Sequence, residues 1–183
     1  MIVGLSGYAG SGKDTAGAYL ARRYGFRVTH YAEPLKRIVG EIFGFTEAQL
    51  HGDEKETPDP RFPRADGLGF LTPRYALQHV GTEGFRALYS RVWVDATMNR
   101  IADGDRVAVC DVRFPDEAAA IRARGGRVIR ILRGEPESAH RSEHALANRP
   151  DLFDAVIDNR STSLGAFFAR VDRTVGQWLP AAP

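Results

Sequence analysis

The stretch GLSGYAGSGKDT, residues 4–15, decides how the chain is read. It follows Met1-Ile2-Val3 and places Gly7, Gly12 and Lys13 at the spacing G-x-x-x-x-G-K. The apolar run IVGLS (2–6) before it reads as a buried strand, and KDTAGAYLARRYG (13–25) after it as a helix with Ala16, Leu20 and Tyr24 on one face. A strand, a glycine loop and a helix N-terminus in that order make an anion cradle. Glycines adopt torsions that other residues resist, their N–H groups turn inward, and the helix dipole adds positive charge. Ala9, Gly10, Ser11, Gly12, Lys13 and Thr15 complete the candidate triphosphate grip, with Lys13 reaching the outer phosphates.

Asp14 stands where a Ser or Thr hydroxyl ordinarily ligates Mg²⁺. Two readings stay open. Its carboxylate holds Mg²⁺ through water, or it faces solvent in the first helical turn, where negative charge is favoured. GKDT is similar to the GKxT form of small kinases that use nucleoside monophosphates. It points away from GTPases and motor-type ATPases.

Outward from the loop, strands alternate with helices. FRVTHYA (26–32), DRVAVCD (105–111), RVIRILR (127–133) and FDAVIDN (153–159) read as strands. EPLKRIVGEIFG (33–44), FPDEAAAIRARGG (114–126) and STSLGAFFARVDRTVGQWL (161–179) read as helices, the last capped by Ser161 or Thr162. Residues 72–104 predict helices broken at Gly81 and Gly84, and the polar, Pro- and Gly-rich 51–69 predicts a mobile loop. The pattern implies an α/β fold: a five-stranded parallel sheet covered by helices on both faces, in one domain. Two polar excursions, near 45–72 and 134–150, leave from strand C-terminal ends, the edge where open α/β sheets bind ligands.

Composition narrows the function. The chain has 183 residues, 43% of them hydrophobic, and 25 basic against 23 acidic residues, a net charge of +2. That balance gives no electrostatic case for a nucleic-acid partner. Lysine occurs only at 13, 36 and 55, so arginine supplies nearly all the positive charge. Cys110 is alone, so neither a disulfide framework nor a cysteine-based metal site is expected. No apolar run approaches ~18 residues, and the start is too short for a signal peptide, so a soluble, cytoplasmic protein without a membrane partner is expected. His140 and His144 are four apart, but no HExxH motif accompanies them.

VAVCD ends in Asp111 at a strand's C-terminal edge, a shape that suits an acid orienting Mg²⁺ or its waters. Arg113 follows two residues on and either clamps an acceptor phosphate or pairs with Asp116 or Glu117. These segments, taken with GYAGSGKDT, EPLK (33–36), LQHVGTEGFR (77–86), DVRFPDE (111–117), HRSE (140–143) and VIDN (156–159), resemble the phage-type deoxynucleoside monophosphate kinases over nearly the whole chain. The resemblance implies a P-loop, nucleoside monophosphate kinase-like core with strand order 2-3-1-4-5. It implies transfer of the γ-phosphoryl group of ATP, with Mg²⁺, to a deoxynucleoside monophosphate. It further implies a monophosphate-binding insertion at 33–104, a lid at 134–150, and a homodimer; a phage-encoded copy would work in the host cytoplasm.

On that reading Lys13, Arg113, Arg133 and Arg141 supply catalytic positive charge, and Asp14 and Asp111 face Mg²⁺. Lys36, Arg74 and Arg86 are candidates for the acceptor phosphate, Gln78 and Glu83 for a base edge, and Asn159 for adenine. Trp93, Tyr75 and Phe85 either stack on a base or pack in the core. Two other readings remain: a P-loop kinase of a different small phosphorylated acceptor, and a non-catalytic ATP-binding protein.

Overall fold

β1 (Ile2–Ser6) is buried at all five positions because it lies at the centre of the sheet. A computed structural model of the chain describes residues 1–134, 145–146, 148–160 and 163–179. Around β1, β2 (Arg27–Thr29), β3 (Val107–Val109), β4 (Arg127–Leu132) and β5 (Ala155–Asp158) form one parallel sheet in the order β2-β3-β1-β4-β5. The expected strand number, direction and order are all present.

Alternation along β1 sends its side chains to two different layers. Val3 and Leu5 join Ala108, Ile129, Ile131 and Ile157 beneath α1 (Lys13–Tyr24) and the closing helix α8 (Leu164–Gly176), whose Leu20, Phe167 and Val171 fill the same cluster. Gly4 faces the other way. A Cβ there would stand 2.6 Å from Ile121 Cδ1 of α7 (Pro115–Ala123), so the missing side chain leaves room for Ile121 against the sheet. Each large apolar side chain fully buried in such a layer contributes about 1.5–3 kcal/mol.

The chain divides into two compact units: Met1–His30 with Met98–Pro183, which holds the sheet, and Tyr31–Thr97. The second unit contains α2 (Glu33–Phe43), α3 (Glu47–His51), α4 (Pro73–Gln78), α5 (Arg86–Leu88) and most of α6 (Val92–Met98). Two expectations change here. Residues 72–88 are not broken at Gly81 and Gly84; α4 continues through a π-helical turn (His79–Phe85) into α5. Close packing overrides glycine's weak helix propensity. A Cβ on Gly81 would lie 2.5 Å from Leu35 Cδ2, and its carbonyl accepts the Trp93 indole N–H at 3.0 Å.

The polar stretch 51–69 is also organised. A 3₁₀ turn (Asp53–Glu56) leads to backbone bonds from Asp59 N–H to Leu71 O, from Leu71 N–H to Phe62 O, and from Arg64 N–H to Gly69 O. Phe62 then packs edge-on against Phe43 and Phe45. Asp59, buried, takes the Arg61 guanidinium and the Gln49 amide, and these bonds hold its carboxyl well below the usual carboxylate range.

In α8, Ser163 is the N-cap, its Oγ accepting Ala166 N–H at 3.2 Å. Ser161, Thr162 and the 135–144 segment, with Arg141, His140, His144 and Ser142, lie outside the described residues. No helix among the described residues is long and apolar enough to cross a membrane.

Candidate active site

The strand order fixes where a ligand belongs. After β1 the chain crosses to β2 on one side, and after β3 it crosses to β4 on the other. The carboxyl ends of the adjacent strands β1 and β3 are therefore a topological switch point, the place where open α/β sheets form a crevice. The loop 7–13 leaves β1 at that edge, and the Asp111–Arg113 turn leaves β3 beside it.

The loop has the torsions a phosphate cradle needs. Gly7, Gly10 and Gly12 have φ of 151°, 69° and 104°. At Gly7 a Cβ would meet both Ile131 O and Ser11 Oγ at 2.5 Å, so no larger residue fits. Ser11 is fully buried, and its Oγ has no hydrogen-bond partner. Asn159, only 4% exposed, donates from Nδ2 to Ser11 O at 2.9 Å and closes against Gly12. The β5 end thus braces the loop from behind.

Lys13 opens α1 and folds back over its own loop, donating from Nζ to Gly7 O at 2.7 Å and to Tyr8 O at 2.6 Å. It is 8% exposed. Burial, followed by the like charge of Arg113, brings its pKa down to about 8, while Asp14 and Asp111 pull the other way. Lys13, Asp14, Asp111 and Arg113 therefore form one electrostatic group. Thr15 is exposed in the first turn, and Arg133 is exposed just beyond β4.

The DVRFPDE segment is set by a residue the sequence reading named only as an ion-pair partner. Glu117 is 3% exposed, and its Oε2 accepts the backbone N–H of Arg113 at 2.7 Å and of Phe114 at 3.0 Å. Val112, buried, is tied back by its N–H to Leu5 O at 3.1 Å. This turn holds the backbone between Asp111 and Arg113 in place. An acid three residues after the cap, with proline at the first helical position, is the local signal for it.

The remaining candidates fall in the second unit. Arg74 Nε donates to Glu56 at 2.6 Å, and Arg86 donates to Ser90 O at 3.1 Å. Lys36 Nζ lies 3.3 Å from His51 Nδ1. Glu83 is exposed, 3.5 Å from His79, and Gln78 is half-buried at the end of α4. Trp93 is a core residue, 6% exposed, with Phe85 packed against it at 5.3 Å. Tyr75 is sandwiched between the His79 ring at 3.6 Å and the Arg64 guanidinium at 4.1 Å. Nothing in the local sequence pairs Arg64 with Tyr75; the 62–71 ladder brings them together.

The residues suit the ligands the loop implies. The glycine cradle, the unpartnered Ser11 hydroxyl and the Lys13 ammonium are donors to phosphate oxygens. The Asp14 and Asp111 carboxylates are hard oxygen donors of the kind Mg²⁺ takes.

No protein-family model matches the chain. A protein of Acanthamoeba polyphaga mimivirus named "Putative deoxynucleotide monophosphate kinase" is 33% identical to it over 189 residues, covering 93% of this chain and 94% of that protein. A deoxynucleoside-5'-monophosphate kinase of Escherichia phage T5 is 28% identical, covering 67% of this chain and 72% of that protein. Among solved structures, shikimate kinase from Acinetobacter baumannii in complex with shikimate aligns over 98% of this chain and 95% of that one, with a TM-score of 0.51 and 12% identity. At that identity the likeness concerns the fold alone.

Proposed function

The chain belongs to the family of deoxynucleoside monophosphate kinases, and on that premise we propose that it moves the γ-phosphoryl group of ATP onto the phosphate of a deoxynucleoside monophosphate. The observation that carries this reading is the meeting of the Lys13 loop and the Asp111–Arg113 turn at the carboxyl ends of β1 and β3.

The acceptor is a phosphate monoester. Its oxygen is already ionised at neutral pH, so attack needs no general base. That oxygen forms a bond to the γ-phosphorus as the bond to the bridging oxygen breaks, leaving ADP with the electron pair. What opposes the reaction is the repulsion of two polyanions, and what the protein supplies is position and positive charge. The loop amides and Lys13 hold the triphosphate. Arg113 draws the acceptor phosphate toward it, Arg133 adds charge from the base of the 134–150 lid, and Arg141 adds charge from within it. Asp14 and Asp111 would hold Mg²⁺ through water, and the ion would supply charge neutralisation at the phosphate oxygens. Removal of one such donor costs about 2.7–4 kcal/mol of barrier, a hundredfold or more in rate.

Acceptor recognition is assigned to the second unit: Lys36, Arg74 and Arg86 for the phosphate, Gln78 and Glu83 for the base. Asn159 acts through the loop it braces.

Initial rates of ADP formation with ATP, Mg²⁺ and each of dAMP, dGMP, dCMP, dTMP and their ribo-counterparts test the proposal. Turnover that depends on a deoxynucleoside monophosphate supports it. ATP binding without acceptor-dependent turnover, or turnover only with a different phosphorylated acceptor, overturns it.

A further inference from the structure

The carboxylate that replaces the usual hydroxyl after the P-loop lysine has a second set of neighbours. Asp14 Oδ1 lies 3.1 Å from His30 Nε2. His30 follows β2 directly, and Cys110 follows β3. The Cys110 N–H donates to Thr29 O at 3.0 Å, so sheet pairing sets the positions of both. The Cys110 Sγ is buried against α1 at Gly17, where a Cβ would stand only 2.3 Å from it. The Asp14 carboxylate oxygen, the His30 ring nitrogen and the Cys110 sulfur all lie within 4.8 Å of one another. Among the described residues, no other group of three His, Cys, Asp or Glu ligand atoms converges in this way.

We propose that Asp14, His30 and Cys110 form a site for a borderline-soft divalent cation, Zn²⁺ by its donor set, separate in chemistry from the Mg²⁺ that serves phosphoryl transfer. Sulfur and imidazole donors select Zn²⁺ and discriminate against Mg²⁺, which takes oxygen. Three protein ligands leave one tetrahedral position open to water or a nucleotide oxygen. Bond lengths of about 2.0–2.3 Å place two ligands of one tetrahedral zinc about 3.5 Å apart, so the group must contract by about 1 Å. The exposed Asp14 side chain and the partly exposed His30 ring can make that movement toward the buried Cys110 sulfur. On binding, the metal–sulfur bond replaces the S–H bond and the thiol proton passes to solvent.

The consequence for catalysis rests on the function proposed above. Zn²⁺ takes Asp14 away from the Mg²⁺ of the reaction and fixes it one residue from Lys13, so occupancy slows turnover. The site is then a zinc-sensitive brake on the kinase.

The full chain, reduced and stripped of metal with a chelator, is titrated with Co²⁺ and Zn²⁺ in the absence of nucleotide. The expected result is a near-ultraviolet sulfur-to-cobalt charge-transfer band, with one Zn²⁺ bound per chain by calorimetry. Cys110→Ser abolishes the band, and Cys110→Ser and His30→Gln each weaken Zn²⁺ binding about tenfold or more. No sulfur-to-cobalt band in the wild type, or Zn²⁺ affinity in both variants equal to that of the wild type, overturns the site. Thermal unfolding of each variant checks its fold, and if Cys110→Ser is destabilised the His30→Gln titration decides. In the Mg²⁺-supported assay, Zn²⁺ slows the wild type and spares Cys110→Ser, whose own rate without Zn²⁺ matches the wild type. Equal inhibition of both overturns the brake. The cobalt band needs no turnover, so loss of the kinase reading and loss of the metal site are separately visible.

Discussion

At the scale of single residues, Lys13 is where structure and proposed chemistry meet most directly. Its ammonium is buried against two carbonyls and repelled by Arg113, and its pKa falls to about 8. The alanine variant is expected to remain folded, because the loop's glycine torsions and the Asn159 brace do not depend on the side chain. It is expected to lose a hundredfold or more in rate. Circular dichroism and ADP release measure the two; near-normal turnover in Lys13→Ala removes the lysine from the mechanism.

The lowered pKa has its own signature. A triphosphate beside Lys13 favours the charged form and raises its pKa again. Between about 8 and the raised value, free enzyme has lost a proton that the complex retains. ATP binding should therefore take up a fraction of a proton near pH 8–9 and none near pH 6.5. Calorimetry in buffers of different ionisation enthalpy reads that uptake, and it should vanish in Lys13→Ala.

These residues were legible because G-x-x-x-x-G-K is a local pattern whose spacing carries its geometry. His30 was not, because its partner Asp14 is sixteen residues away, and the packing of α1 against β2 brings the two together. Glu117 was half legible: the sequence offered it as a partner for Arg113, and its Oε2 accepts the backbone N–H groups of Arg113 and Phe114.

At the scale of elements, local propensity served the sheet well and the helices of the second unit less well. Each strand was foreseen to within three residues at either end, because runs such as Val107-Ala108-Val109 have one place to go in a buried parallel sheet. The π-helical turn at His79–Phe85 was not foreseen. Gly81 and Gly84 looked like stops, since glycine lowers helix stability by about 1 kcal/mol against alanine. Packing reverses that reading at Gly81, where a Cβ would stand 2.5 Å from Leu35 Cδ2. Gly81→Ala is therefore expected to destabilise the protein by about 1–3 kcal/mol despite its better helix propensity. A double-mutant cycle with Leu35→Ala should show coupling, because the methyl group and the Leu35 Cδ2 contend for the same space. A stabilised Gly81→Ala in chemical denaturation would show that the turn is not held by this contact.

At the scale of the whole molecule, the chain places its two kinds of candidate in different units. The triphosphate grip and the Asp111–Arg113 turn belong to the unit with the sheet, while Lys36, Arg74, Gln78, Glu83 and Arg86 belong to Tyr31–Thr97. If the second unit reads the acceptor, kinetic constants should separate along the same line. Arg74→Ala and Arg86→Ala are expected to raise KM for the deoxynucleoside monophosphate about tenfold or more, by the loss of a charged phosphate contact of roughly 1.5–3 kcal/mol, and to leave KM for ATP close to the wild-type value. Arg113→Ala, which sits in the unit with the sheet, is expected to lower kcat for acceptor-dependent turnover far more than it weakens ATP binding, since its charge is assigned to the acceptor phosphate. Steady-state kinetics with both substrates varied, together with ATP affinity by calorimetry, distinguish these cases. A rise in KM for ATP in Arg74→Ala or Arg86→Ala, with KM for the acceptor unchanged, would reverse the assignment of the two units. An Arg113→Ala variant impaired only in ATP binding would move that arginine to the donor side.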